Sequence, residues 1–193
     1  MKDNIDLLAP FLVLLFNQSL QQGVVLSAFK DTFITPLLKK ADLDPADVTF
    51  YRSISNLSVL SKLLERLVAR QLTDYFSASR LLPNLQKAYR DRHSTETALL
   101  KVLGDIPQAI DSGNLVVLTL LDLSAACDTV DHATLLHRLD ASYCLRGVVL
   151  SWFNCYLDGH TQFVRCGSKE SKPSRVVCGV PQGSVLGPIL FLL

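Results

Sequence analysis

Three aspartates close the stretch LLDLSAACDTVDH (120–132), and a cysteine stands among them. Asp122 directly ends the apolar run NLVVLTLLD. A carboxylate beside an apolar wall is costly unless a donor or a cation meets it. Asp122 can therefore cap the segment that follows. It can also ligate a hard cation such as magnesium, which takes carboxylate and carbonyl oxygens and often keeps phosphates as its remaining ligands. Asp128 and Asp131 sit just before HATLLHRLDAS and fit caps of that helix. A second constellation follows about fifty residues later, GVPQGSVLGP (179–188). Gly179, Gly183 and Gly187 permit close backbone approach, and Pro181 fixes a turn. Gln182 is a polar amide at the start of a helix, where N–H groups also point outward. Such a corner can press against a flat base and a phosphate.

The elements around these residues are legible from pattern. LLAPFLVLLF (7–16) reads as a buried helix stopped by Gly23, since the run is too short to span a bilayer and contains Pro10. FKDTFITPLLKK (29–40) reads as a strand ending in two lysines, and 41–53 as a loop. In NLSVLSKLLERLVARQLTDYF (56–76), Leu57, Leu60, Leu64, Leu67 and Val68 recur at helical spacing, with Asn56 or Ser58 as cap. Lys62, Arg66 and Arg70 form one basic stripe on that helix. Residues 81–92 read as loop. A second helix spans 93–113, capped by Ser94 or Thr95, with Pro107 kinking it or starting a new segment. NLVVLTLLD (114–122) has the length and composition of a strand buried on both faces. Helices follow at 132–142 and 146–159. Two short strands, 161–167 and 174–180, flank the turn KESKP as a hairpin. An apolar helix closes the sequence. This mixed order predicts an α+β fold.

Composition narrows the function classes. The 193 residues carry a formal charge of +1, so global charge names no polyanionic partner. From Arg52 to Lys101, however, nine basic residues face four acidic ones, which suits a phosphate backbone or a solvated helix face. The five cysteines have no C-x-x-C spacing, and the four histidines show no metal-ligand pattern. Free thiols in a reducing compartment are the expectation.

LLDLSAACDTVDH followed by GVPQGSVLGPILFLL resembles the reverse transcriptase of non-LTR (LINE-type) retrotransposons. TPLLKK (35–40), YRSISNLSVLSKLLERLV (51–68), QKAYRDRHSTETALLKV (86–102) and SWFNCYLDGHTQFV (151–164) resemble further blocks of that family in the same order. The resemblance covers about 29–193. It implies right-hand polymerase fingers (about 29–113) and a partial palm with an antiparallel sheet (about 114–193), after a helical lead-in (1–28). It makes Asp122 a catalytic metal ligand, joined by the main-chain carbonyl of Leu123. Ser124, Ala125, Ala126 and Cys127 match the floor under the incoming nucleotide. Gln182 and Gly183 match the corner that touches nucleotide and template. Arg52 matches a fingers arginine that meets the triphosphate, while Arg90 and Pro181 match template- or primer-facing positions. The implied reaction adds deoxynucleotides to a DNA primer on an RNA template, with two magnesium ions roughly 3.5–4 Å apart. An intracellular setting is implied, nuclear or in a cytoplasmic ribonucleoprotein, with no membrane partner.

Departures from the family pattern are as informative. The 193 residues contain no Asp-Asp pair. The family's aromatic-x-Asp-Asp hairpin would lie beyond Leu193, so the chain alone is expected to be inactive. Cys127 stands where the family usually has the phenylalanine that blocks a 2′-hydroxyl. Ser53, Cys144 and His160 replace a favoured Pro, Gly and Arg. The alternatives are an RNA-binding remnant or domesticated module without chemistry, or a translated element copy with no function.

Overall fold

The computed structural model describes residues 5–90, 92–123 and 126–193. Its helices are α1 (Ile5–Gln22), α2 (Val59–Ala78), α3 (Thr95–Asp111), α4 (His132–Ala141), α5 (Val148–Leu157) and α6 (Gly187–Leu192). Its strands are β1 (Asp31–Leu38), β2 (Tyr51–Asn56), β3 (Thr161–Cys166), β4 (Lys169–Glu170) and β5 (Ser174–Arg175). Helices and strands mix as expected, and all sheet pairings but one are antiparallel. β1 is flanked by β2, antiparallel, and by β3, parallel; β4 and β5 both pair with β3.

The core is helical. Leu64, Val68, Leu72 and Phe76 of α2 meet Leu139 of α4, Phe153 and Leu157 of α5, and Leu190 of α6. The buried positions of α2 advance by three and four residues, as one helix face requires. Arg66 and Arg70 remain exposed on the other side. Ser58 caps α2 by accepting the Ser61 N–H. Ser94 caps α3 in a reciprocal box with Thr97. The sheet lies beside this core, with Phe29 anchoring the entry to β1.

Several expectations are corrected. α1 does end at Gly23, whose φ is +69°, but the helix is not buried. Only its Leu15, Phe16 and Leu20 side packs on the core, while Leu7, Phe11 and Leu14 are exposed. Residues 51–53 are not loop but the start of β2. Its polar sequence YRSISN gives no apolar alternation, and pairing with β1 decides the conformation instead. Pro107 starts no new segment, since α3 continues to Asp111. The predicted buried strand 114–122 is absent. These residues take no regular structure, and Leu115, Leu120 and Leu121 are more than four-fifths exposed. An extended run becomes a strand only beside a ladder partner, and none of the described residues pairs with it. The hairpin after α5 turns earlier than expected, at Gly167, so that β4 occupies part of the predicted turn.

Candidate nucleotide and nucleic-acid site

The cavity of interest opens where β1 and β2 meet the segment that follows residue 121. Lys39, Tyr51, Arg52 and Ser53 form one wall; Asp122, Leu123, Ala126, Cys127 and Asp128 form another; Gln182 closes the third. Its volume is about 440 Å³, within the range of small-ligand sites. Three segments far apart in sequence thus converge.

Local structure explains how each wall is set. β1 and β2 are zipped in register from Phe33 opposite Asn56 to Leu38 opposite Tyr51. The Lys39 ammonium donates to the Thr49 carbonyl at 2.9 Å. A 3-10 turn, Ala126–Thr129, carries Cys127 and Asp128. Burial, and then the neighbouring Asp128 charge, push the Cys127 thiol above its ordinary value, so it stays protonated at neutral pH.

The Gly-rich corner is fastened from four sides. The Gly179 N–H donates to the Val130 carbonyl and the Val180 N–H to the Cys127 carbonyl, each at 2.7 Å. His132 Nε2 bonds the Gly179 carbonyl at 2.7 Å. The Ser55 N–H of β2 donates to the Gln182 carbonyl at 2.7 Å. From α2, the Glu65 carboxylate accepts the Val185 N–H at 2.6 Å and the Leu186 N–H at 3.3 Å. Glycine is required at Gly179. Its φ is +84°, and a Cβ there would stand 2.9 Å from the Asp128 Cα and the Cys127 carbonyl oxygen. Gly183, at φ +106°, would bring a Cβ to 3.0 Å from the Ser55 carbonyl oxygen.

Residues 38–193 match the family model described as reverse transcriptase (RNA-dependent DNA polymerase). The chain belongs to the reverse transcriptase family. The relatives place it on the LINE-type branch. It is 33% identical over 183 residues to the RNA-directed DNA polymerase from mobile element jockey of Drosophila melanogaster, covering 94% of this chain and 19% of that protein. It is 38% identical over 143 residues to the probable RNA-directed DNA polymerase from transposon BS of the same species, covering 73% and 15%. A third relative, the probable RNA-directed DNA polymerase from transposon X-element, is 36% identical over 154 residues. The reverse transcriptase segment in hand spans less than a fifth of each of these relatives.

Of the sequence-predicted site residues, Arg52, Asp122, Leu123, Ala126, Cys127 and Gln182 come together at the cavity. Pro181 lines an adjoining cavity that shares Ser53, Asp128 and Gln182, and Gly183 follows directly in the chain. Ser124 and Ala125 lie outside the described residues. Arg90 is not brought to the cavity. Its guanidinium braces its own loop, donating to the Pro83 carbonyl at 3.3 Å. Asp131 caps α4 as expected, accepting the Thr134 N–H at 2.7 Å. Asp128 does not cap that helix. It accepts Gln182 Nε2 at 3.1 and 3.2 Å, which couples the two walls.

Three members were missed as site residues. Lys39 was visible only as one of two lysines ending a strand. Tyr51 fell in a stretch read as loop. Glu65 carried a signal, because it follows Leu64 and precedes Val68 by three, on the apolar side of α2. A lone acid there must find buried donors.

Reverse transcriptases as a family use divalent metal. Among the described residues, no group of three or more His, Cys, Asp or Glu is arranged to hold an ion. Asp122 is exposed, and the nearby Asp128 is engaged by Gln182. These residues do not make a two-metal cage.

Proposed function

We propose that this chain forms the fingers and the nucleotide-facing part of the palm of an RNA-directed DNA polymerase of a LINE-type retrotransposon. The convergence of Lys39, Arg52, Asp122, Cys127 and Gln182 on one cavity supports this reading above all. Arg52 and Lys39 offer cations for a triphosphate. The Arg52 fork donates two hydrogen bonds at once, while Lys39 acts as a point charge. Gln182, held through its carbonyl by β2 and through its amide by Asp128, presents a fixed edge to a base. Cys127 is the small floor under the sugar. Asp122 would offer one carboxylate, and Leu123 one main-chain carbonyl, to a magnesium ion. RNA template, DNA primer and deoxynucleoside triphosphates are the substrates of this reading.

The test is equilibrium titration of the chain with a fluorescent deoxynucleoside triphosphate in magnesium. Arg52→Ala weakens binding about tenfold or more, as loss of a charge-assisted bond of about 1.5–3 kcal/mol requires. Equal affinity in the folded variant refutes the placement of the triphosphate. Primer extension by these 193 residues alone yields no product; magnesium-dependent product would refute the assignment of a single metal-ligating aspartate. A second reading, RNA binding without chemistry, is favoured by Arg66 and Arg70, which stand exposed on one side of α2.

A further inference from the structure

One face of the sheet is unlike the rest of the surface. Phe33 of β1 stands in register with Phe163 of β3 on one side and with Asn56 of β2 on the other. Strand neighbours in register share a face, and so do residues two apart. Arg165 therefore joins Phe33 and Phe163 on this face. The two rings lie with centroids 6.2 Å apart. The Arg165 guanidinium lies 4.4 Å from the Phe33 centroid and 5.6 Å from that of Phe163. Both phenylalanines are half-buried, and neither belongs to the core or to the apolar residues packed against it. Core packing thus does not account for them.

The opposite face carries Thr32, Ile34, Ser53, Ser55 and Gln162, and the 176–182 segment lies across it. The aromatic face is the open one. Its surroundings are basic. By sequence, residues 30–40, 51–56 and 161–175 hold eight lysines and arginines against two acids, Asp31 and Glu170; Arg175 is paired with Asp158, and by alternation Arg52, Arg165 and Asp31 are the charged residues on this face. Arg165 is itself paired with Glu170 at 2.7 Å in an exposed contact. Its charge is thereby offset in part, and its contribution is the flat guanidinium plane rather than net charge.

Partly exposed rings topped by a guanidinium, on a sheet whose segments are rich in lysine and arginine, match the chemistry that binds unpaired bases. Aromatic rings and arginine planes stack on a base, and surrounding cations follow the phosphates. Bases within a duplex are stacked on each other and cannot use such a platform. By strand alternation the same face reaches Arg52, opposite Leu37, at the rim of the nucleotide cavity.

We infer that Phe33, Phe163 and Arg165 form a base-stacking platform for single-stranded RNA on the open face of the sheet. The inference rests on the polymerase reading for its choice of RNA. The platform holds an unpaired stretch of that strand against the sheet, outside the cavity where the nucleotide sits.

The experiment is fluorescence anisotropy of the full chain with a labelled 12-nucleotide RNA of non-self-complementary sequence, over a salt series. The variants are Phe33→Leu, Phe163→Leu and Phe163→Tyr, each checked for folding by circular dichroism. Leucine keeps apolar bulk and removes the ring; tyrosine keeps the ring. Each leucine change raises Kd about fivefold or more, the lower end of what loss of base stacking costs. The salt slope is unchanged, because no phosphate contact is lost. Phe163→Tyr binds as the parent does, and a duplex of the same sequence competes poorly. If folded leucine variants bind as tightly as the parent while Arg52→Ala loses triphosphate, the platform is refuted and the polymerase reading stands. If the parent binds neither RNA nor triphosphate, both fail.

Discussion

Replacing Glu65 tests the physical account of the Gly-rich corner. Glu65 is 1% exposed, and the Leu186 position it serves is fully buried. Glu65→Ala removes the acceptor for the Val185 and Leu186 N–H groups. An orphaned buried N–H costs about 1–3 kcal/mol. Relief of the carboxylate's own desolvation offsets part of that cost, so the expected net loss is about 2–4 kcal/mol in urea unfolding. A domain of this size has only about 5–15 kcal/mol in total. Glu65→Gln keeps the volume and an acceptor oxygen, and should stay within about 1 kcal/mol of the parent.

pH adds a second discriminant. Burial pushes the Glu65 carboxyl above its ordinary value of 4.5, outweighing the Val185 and Leu186 N–H groups that favour the anion. The folded chain therefore holds the proton more tightly than the unfolded chain. This contribution to stability is complete below about pH 4.5, falls as pH rises through the elevated folded value, and is constant beyond it. Glu65→Gln does not titrate, so its stability relative to the parent should improve across that window and then level off. An Ala variant within about 0.5 kcal/mol of the parent at pH 7 would refute the anchoring role. A pH-independent difference between parent and Gln variant would refute the buried-anion account.

Other substitutions probe other joints. Cys144, exposed just after α4, has φ +55°, so Cys144→Gly should raise stability by about 1 kcal/mol in the same unfolding assay. Gly179→Ala forces a Cβ against the 3-10 turn at a positive φ, and should cost more than about 1 kcal/mol and weaken triphosphate binding with it. Asp131→Ala removes the α4 cap, for a loss of about 1 kcal/mol by thermal melting. Cys127→Phe adds bulk at the cavity floor, and comparative titration should show poorer binding of ribonucleotide relative to deoxyribonucleotide.

Legibility differed by element for physical reasons. α2, α4 and α5 were readable because each buries one face at helical spacing, and because side chains such as Ser58 and Asp131 cap within a few residues. β2 was not, because its pairing with β1 depends on residues some twenty positions away and its own side chains are polar. The chemistry of Asp128 was misread for a related reason. Its neighbour in sequence is a helix start, but its partner in space, Gln182, lies 54 residues on. Family resemblance supplied Arg52, which nothing in its local pattern singles out, whereas Gln182 was legible from the Gly-rich corner around it. The resemblance could not supply Glu65, which acts through backbone N–H groups.

The run 114–123 shows where local pattern and tertiary structure part. Its composition asks for burial, yet Leu115 is 92% and Leu121 89% exposed. Apolar surface of this kind, contiguous along an extended backbone, is more than the exterior of a soluble protein commonly shows. The two sides of the cavity are consequently held in different ways. Gln182 is fixed by bonds from β2 and by Asp128, and the following turn by Glu65. Among the described residues, no strand pairs with the stretch that carries Asp122. A carboxylate binds metal productively only when its backbone is held to within a fraction of an ångström. On the proposed reading, the wall that would face the nucleotide is held by these bonds, while among the described residues no strand lies beside the wall that carries Asp122.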